Sequence, residues 1–249
     1  MRQFELDTIY NEDCLNLKDF PSNSIPICLT DPPYNLGKDY GEDFNDSRPE
    51  DEYWDWLDDR LSEIIRVLTD PGMLILSHTD QGIFNLKPIL EEKGLRFIQL
   101  LYWVGKNGFG VNNTHKWSFR VEPLMVFIKG ESYELKHDNP FLWYCSYFEV
   151  GRPQSNFKEG RFHVAQKPVK LFKMILERIP GDTVIDPFMG SGTTALACRS
   201  LGKHYIGFEI NPDYVQIAND RLAKVPLRLD HFLDLEEGIE KVTEREGEG

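Results

Sequence analysis

Two short stretches hold residues whose types and order could do chemistry. In TDPPYNLG, residues 30–37, an acid precedes two prolines and an aromatic ring, directly after the apolar run IPICL. Pro32 and Pro33 fix their own φ angles, so Asp31 and Tyr34 project from a stiff corner. In DPFMGSGTTA, residues 186–195, an acid is followed by a glycine turn and a helix-forming run. Gly190 and Gly192 permit a sharp turn and let a ligand approach the backbone. Asp186, at the end of the strand before them, could bind an ammonium group. Glu209 lies 17 residues beyond Gly192, near the spacing at which an acid grips the vicinal hydroxyls of a ribose. No Lys follows the glycines, so this is not a Walker loop. Residues 190–195 satisfy G-x-G-x-x-A, which keeps a nicotinamide or flavin reading open.

Short apolar runs and helical patterns alternate along the chain and must position these two stretches. The predicted strands are Thr8–Asn11, Ile25–Thr30, Gly72–Ser77, Phe97–Val104, Val121–Ile128, Thr183–Asp186 and Tyr205–Glu209. The predicted helices are Pro49–Leu68, Gln81–Lys93, Lys167–Arg178, Thr193–Leu201 and Pro212–Leu222, the last with Asn211 as its cap. Strands separated by helices imply an α/β fold, doubly wound, with a mostly parallel sheet covered on both faces. Residues 105–120 and 130–165 fit the pattern poorly. They read as polar, aromatic-rich insertions suited to target recognition. The expectation is a single catalytic domain over residues 1–229 and an acidic tail over 230–249.

Together, DPPY at 31–34 and DPFMGSGTT at 186–194 resemble the catalytic and cofactor motifs of the amino-group DNA methyltransferases, which use S-adenosylmethionine. The catalytic motif comes first, an order similar to the β group of that family. YNEDC at 10–14, HVAQKP at 163–168 and IGFEIN at 206–211 extend the likeness over about residues 8–222. The resemblance implies a Rossmann-like methyltransferase sheet and a catalytic corner formed by Asp31, Pro32 and Tyr34. Asp31 and the Pro32 carbonyl would accept the two protons of an exocyclic amine, leaving its lone pair aimed at a sulfonium methyl. Tyr34 would stack on a base turned out of the helix. Asp186, Phe188, Gly190, Ser191, Gly192 and Thr193 would hold the methionine part of the cofactor and Glu209 the ribose. Asp13 would accept from the adenine amine, with Gln166 and Lys167 near the carboxylate end. Aspartate at the first corner position leans towards adenine N6 over cytosine N4. An RNA or protein amide substrate is a further alternative, and a nicotinamide oxidoreductase would leave the DPPY corner unexplained.

Composition bounds the partners. The 249 residues carry a net charge of −13, which opposes a polyanion, yet the charge is unevenly spread. Residues 39–63 hold 11 acids and 2 bases, whereas 96–178 hold 13 bases and 7 acids. Lys106, Lys116, Arg120, Arg152, Lys158 and Arg161 are the candidate contacts to double-stranded DNA, and Phe109, Trp117, Trp143 and Tyr144 could stack on or wedge between bases. The acidic helix brings Trp54 and Trp56 either to the pocket or to a subunit interface. Cys14, Cys28, Cys145 and Cys198 form no CxxC pair, so reduced thiols and no metal site are expected. None of the four follows a proline, which argues against methylation at cytosine C5. No run approaches the roughly 18 apolar residues of a membrane span, and the opening MRQFELDTIYNEDC has no signal-like apolar core. A cytoplasmic enzyme is expected, with room for a homodimer and for a cognate restriction endonuclease as partners.

Overall fold

Strands such as IPICLT and TVID are apolar towards both faces and can be buried only where helices cover both sides of a sheet. The computed structural model describes residues 2–38, 46–106, 120–136, 145–153 and 166–225, and they adopt this arrangement. In chain order the elements are β1 (Thr8–Tyr10), a 3-10 helix (Cys14–Asp19), β2 (Ile25–Thr30), α1 (Glu50–Val67), β3 (Leu68–Ser77), α2 (Asp80–Glu92), β4 (Leu95–Gly105) and β5 (Val121–Lys129). There follow β6 (Tyr147–Val150), α3 (Val169–Leu176), β7 (Thr183–Asp186), α4 (Thr193–Ser200), β8 (His204–Phe208) and α5 (Pro212–Ala223). The sheet order is β1-β8-β7-β2-β3-β5-β4-β6. All neighbours are parallel except β5, which runs antiparallel to β3 and β4.

Alternating side chains feed two cores. Cys28 and Leu74 pack under the 3-10 helix, α1 and α2, while Ile27, Leu29 and Met73 pack under α3, α4 and α5. From β2 the chain winds through α1 to β3 on one side. From β7 it winds through α4 to β8 on the other. β2 and β7 are adjacent, with Ile27 opposite Val184 and Cys28 opposite Ile185. The crevice of a doubly wound sheet opens where the winding diverges, beyond the carboxyl ends of these two strands. Both motifs begin there.

Two sequence expectations change. The segment 130–165 contributes β6 to the sheet, where Trp103 pairs with Phe148. This four-residue edge strand is too short for its alternation to be read without its partner. The helix expected from Lys167 starts at Val169, with Pro168 as its cap in extended geometry (φ −67°, ψ 132°). A residue preceding proline is pushed out of the α region, so Lys167 stays outside the helix. The 3-10 helix, capped by the Asp13 side chain accepting from Leu15 N, is an addition. Among the described residues no helix is long and apolar enough to cross a membrane.

Candidate active site

Thr30 and Asp186 end β2 and β7, and the Thr30 hydroxyl donates to Asp186 Oδ1 at 2.7 Å. That bond fastens the two motifs together beside a cavity of about 270 Å³. Asp31, Pro32, Tyr34, Asp186, Gly190 and Glu209 all line it.

The glycine turn is built around carboxylates. Asp186, buried, also accepts from Phe188 N at 3.0 Å and from the Thr194 hydroxyl. Burial raises its carboxyl to about 6, although these hydrogen bonds pull the other way. Glu209 accepts from Gly190 N and from Asn211 N, both at 2.8 Å, and burial likewise raises its pKa. A third backbone hydrogen bond, from Ile210, also reaches this carboxylate, whose four lone-pair sites leave room for a ligand hydroxyl. Phe188 faces Trp56 with ring centroids 5.8 Å apart, so the acidic helix brings Trp56 to the pocket. Trp54 instead lies beside His78, 5.7 Å between centroids.

Ser191, Thr193 and Gln166 line the same cavity; Ser191 accepts from Arg221 of α5, and the Thr193 hydroxyl donates to the Lys167 carbonyl. Asp13 is on the wall but already engaged. Its Oδ2 pairs with Arg60 at 2.5 Å, and Arg60 lies over the Trp56 ring at 4.3 Å. Gly192 is not among the lining residues. Its φ is 84°, and a Cβ there would stand 2.8 Å from Ala218 Cβ, so a glycine here lets α4 pack closely on α5.

The proline corner is held from behind. The Tyr34 hydroxyl donates to Asp31 Oδ1, lies 2.7 Å from Ser77 Oγ and accepts from Lys167 Nζ at 3.1 Å. Its ring packs beside His78, with centroids 4.7 Å apart. Tyr53 of α1 donates to the Pro33 carbonyl and sits 2.7 Å from His78 Nε2. Burial, with Lys167 adding to it, lowers His78 to about 4, so the ring is neutral at pH 7. Among the described residues the Pro32 carbonyl accepts no hydrogen bond.

Lys167 is buried on the cavity wall, and its ammonium lies 2.9 Å from Asp31 Oδ2 and 2.9 Å from Glu122 Oε2, at the corner. One expected role is displaced. Arg152 is no DNA-facing arm. It pairs with Glu122 and stacks over Trp103 at 4.5 Å, with 12% of its side chain exposed. Lys106 and Arg120 are exposed, Lys106 lying 3.5 Å from Glu149. Lys116, Lys158, Arg161, Phe109, Trp117, Trp143, Tyr144 and the tail 230–249 lie outside the described residues.

Sequence reasoning missed Ser77, His78, Tyr53 and Glu122. The polar SHT after an apolar strand marks the carboxyl end of β3, beside Asp31, and was a readable signal. Glu122 was not readable. It is the second residue of β5, whose amino end meets the corner only because that strand runs antiparallel.

Residues 25–220 match the family model of the N6/N4 DNA methylases. The chain belongs to that family. It is an S-adenosylmethionine-dependent DNA methyltransferase. It is 34% identical over 224 residues to the type II methyltransferase M.HpaI of Haemophilus parainfluenzae, covering 83% of this chain and 70% of that one. It is 27% identical over 250 residues to the DNA adenine methyltransferase YhdJ of Escherichia coli K12, covering 88% and 83%. In fold it is similar to the M1.HpyAVI–SAM complex, with a TM-score of 0.67, 24% identity, and coverage of 86% of this methyltransferase and 98% of that chain.

Proposed function

We propose that this methyltransferase modifies the N6 amine of adenine in double-stranded DNA, with Asp31, Pro32 and Tyr34 as the groups that receive the base. The observation that carries the reading is the Thr30–Asp186 bond, which brings the acidic proline corner and the glycine turn to one cavity. The Asp31 carboxylate and the Pro32 carbonyl accept the two amine protons, turning the nitrogen lone pair away from the ring. Asp31 offsets the positive charge that grows on nitrogen and takes up its proton afterwards. The Tyr34 ring offers a face to the extruded base.

The donor set of the cavity suits S-adenosylmethionine. Asp186 answers an ammonium, the Glu209 oxygens answer ribose hydroxyls, and Phe188 and Trp56 flank a planar ring. When bound, that cofactor supplies an electrophilic methyl on a sulfonium sulfur, which keeps the bonding pair as the methyl leaves. Adenine over cytosine rests on the aspartate at the first corner position, and the similarity to YhdJ supports it. The reading carries a cytoplasmic location with it. It also carries the recognition role of 105–120 and 130–165 within a 1–229 domain, and two further partners: a second copy of the chain and a cognate restriction endonuclease.

Incubating the purified protein with DNA and tritiated S-adenosylmethionine should label the DNA. Nucleoside mass spectrometry should then show N6-methyladenine. N4-methylcytosine as the main product would overturn the base assignment, and absence of label would overturn the reading.

A further inference from the structure

One buried ammonium is shared by two carboxylates at the corner. Lys167 Nζ stands 2.9 Å from Asp31 and 2.9 Å from Glu122, and the remaining Glu122 oxygen is held by Arg152. Side-chain exposure is 5% for Lys167 and 13% for Glu122, so water screens these charges little. If Lys167 belonged to Asp31 alone, its charge would oppose the positive charge growing on the target nitrogen beside the same carboxylate. Glu122 offers the ammonium a second anion at equal distance. Arg152 pairs with that second anion in turn, and Lys38, 5.6 Å from the Tyr34 ring centroid, is a further cation close to the same carboxylates.

The second anion is rigidly placed. Glu122 pairs with Trp103 across β5 and β4, and the Arg152 guanidinium lies on the Trp103 ring. Arg152 also packs against Gly105, where a Cβ would stand 2.9 Å from its Nε. We propose that Glu122 is a positioning residue for methyl transfer: it takes over the Lys167 ammonium and frees the charge of Asp31 for the target amine. The inference rests on the reading that Asp31 receives that amine. Burial alone would raise the Glu122 carboxyl, but Lys167 and Arg152 override it and hold it at about 2. Burial alone would lower Lys167, yet Asp31, Tyr34 and Glu122 keep it well above the ordinary lysine value. Both groups are therefore charged at neutral pH.

Glu122→Gln leaves one surplus positive charge at the corner. Measured in single turnover at saturating DNA and S-adenosylmethionine, transfer should slow about ten-fold or more. Cofactor affinity by titration should stay within about three-fold, because Glu122 does not line the cavity. Adding Lys167→Met removes the surplus charge and should make the double variant about three-fold faster than Glu122→Gln alone. A merely structural role predicts a slower double variant, and that result overturns the proposal. So does a wild-type rate in Glu122→Gln. If Glu122→Gln does not fold, as judged by thermal unfolding, Glu122→Asp replaces it; that shorter side chain cannot span both cations, and a wild-type rate overturns the proposal. Asp31→Asn separates the two claims. Full activity in that variant defeats the reading of Asp31, whereas an inactive Asp31→Asn beside a fully active Glu122→Gln defeats only the role of Glu122.

Discussion

Tyr34 presents a ring to the cavity and a hydroxyl to Asp31, Ser77 and Lys167. Stacking on a base requires only the ring, but the hydroxyl also fixes the carboxylate. Tyr34→Phe should therefore transfer methyl groups about ten-fold more slowly, the worth of one hydrogen bond to a charged group, and Tyr34→Ala should be slower still. Single-turnover rates decide it, and a wild-type rate for Phe would leave the hydroxyl idle. Asp186 makes a prediction about pH. Its carboxyl is raised by burial to about 6, and only the ionised form attracts an ammonium. Cofactor affinity, read by titration, should weaken as pH falls through about 6, and Asp186→Asn should flatten the profile. For stability the sign reverses. The folded chain keeps a proton that the unfolded chain sheds from its ordinary 3.8, so this group favours folding most below that value. The contribution, on the order of 3 kcal/mol, is lost as pH rises through about 6, and urea unfolding at both ends of the window measures it.

Between elements, Gly192 and Ala218 decide how closely α4 approaches α5. A side chain at 192 meets both a left-handed backbone, φ 84°, and Ala218 Cβ at 2.8 Å. Gly192→Ala should destabilise the fold by about 1–3 kcal/mol in urea. Ala218→Gly in the same chain should restore part of that loss by opening the helix contact. No recovery would assign the cost to the backbone angle alone. Gly190 has φ 51° but lines the cavity, so a side chain there should act on cofactor affinity as well. The two glycines of one motif thus differ in surroundings, Gly190 on the cavity wall and Gly192 against Ala218 of α5.

At the scale of the molecule, an acidic protein must bind an acidic polymer. The net charge is −13, and the bases cluster in residues 96–178. Within that stretch Arg152 and Lys167 are committed to carboxylates inside the site, and of the candidate DNA contacts among the described residues Lys106 and Arg120 are exposed, at the ends of β4 and β5. DNA affinity should fall steeply with salt. Lys106→Glu and Arg120→Glu should each flatten the log–log slope by about one, as for loss of a single phosphate contact. Fluorescence anisotropy across a salt series measures this, and an unchanged slope in both variants would move the DNA surface elsewhere.

Much of this chemistry was local in the chain and therefore legible. Two prolines make a stiff corner wherever they occur, the glycines of 190–192 make a turn, and apolar runs separated by helical patterns imply a sheet covered on both faces. β2 and β7 could be bounded from their own residues because strands buried on both sides read as unbroken apolar runs. What lay beyond the sequence was relational. Lys167 reads as the start of a helix until Pro168 holds it out of α3, and only the fold places Asp31 and Glu122 around it. Arg152 reads as a DNA contact until Trp103 and Glu122 enclose it. Glu122 has no local signature, because its place depends on one strand running against all the others. Backbone stiffness and periodicity are properties of neighbouring residues; the partner of a buried charge is chosen by strand order and direction, which only the tertiary fold supplies.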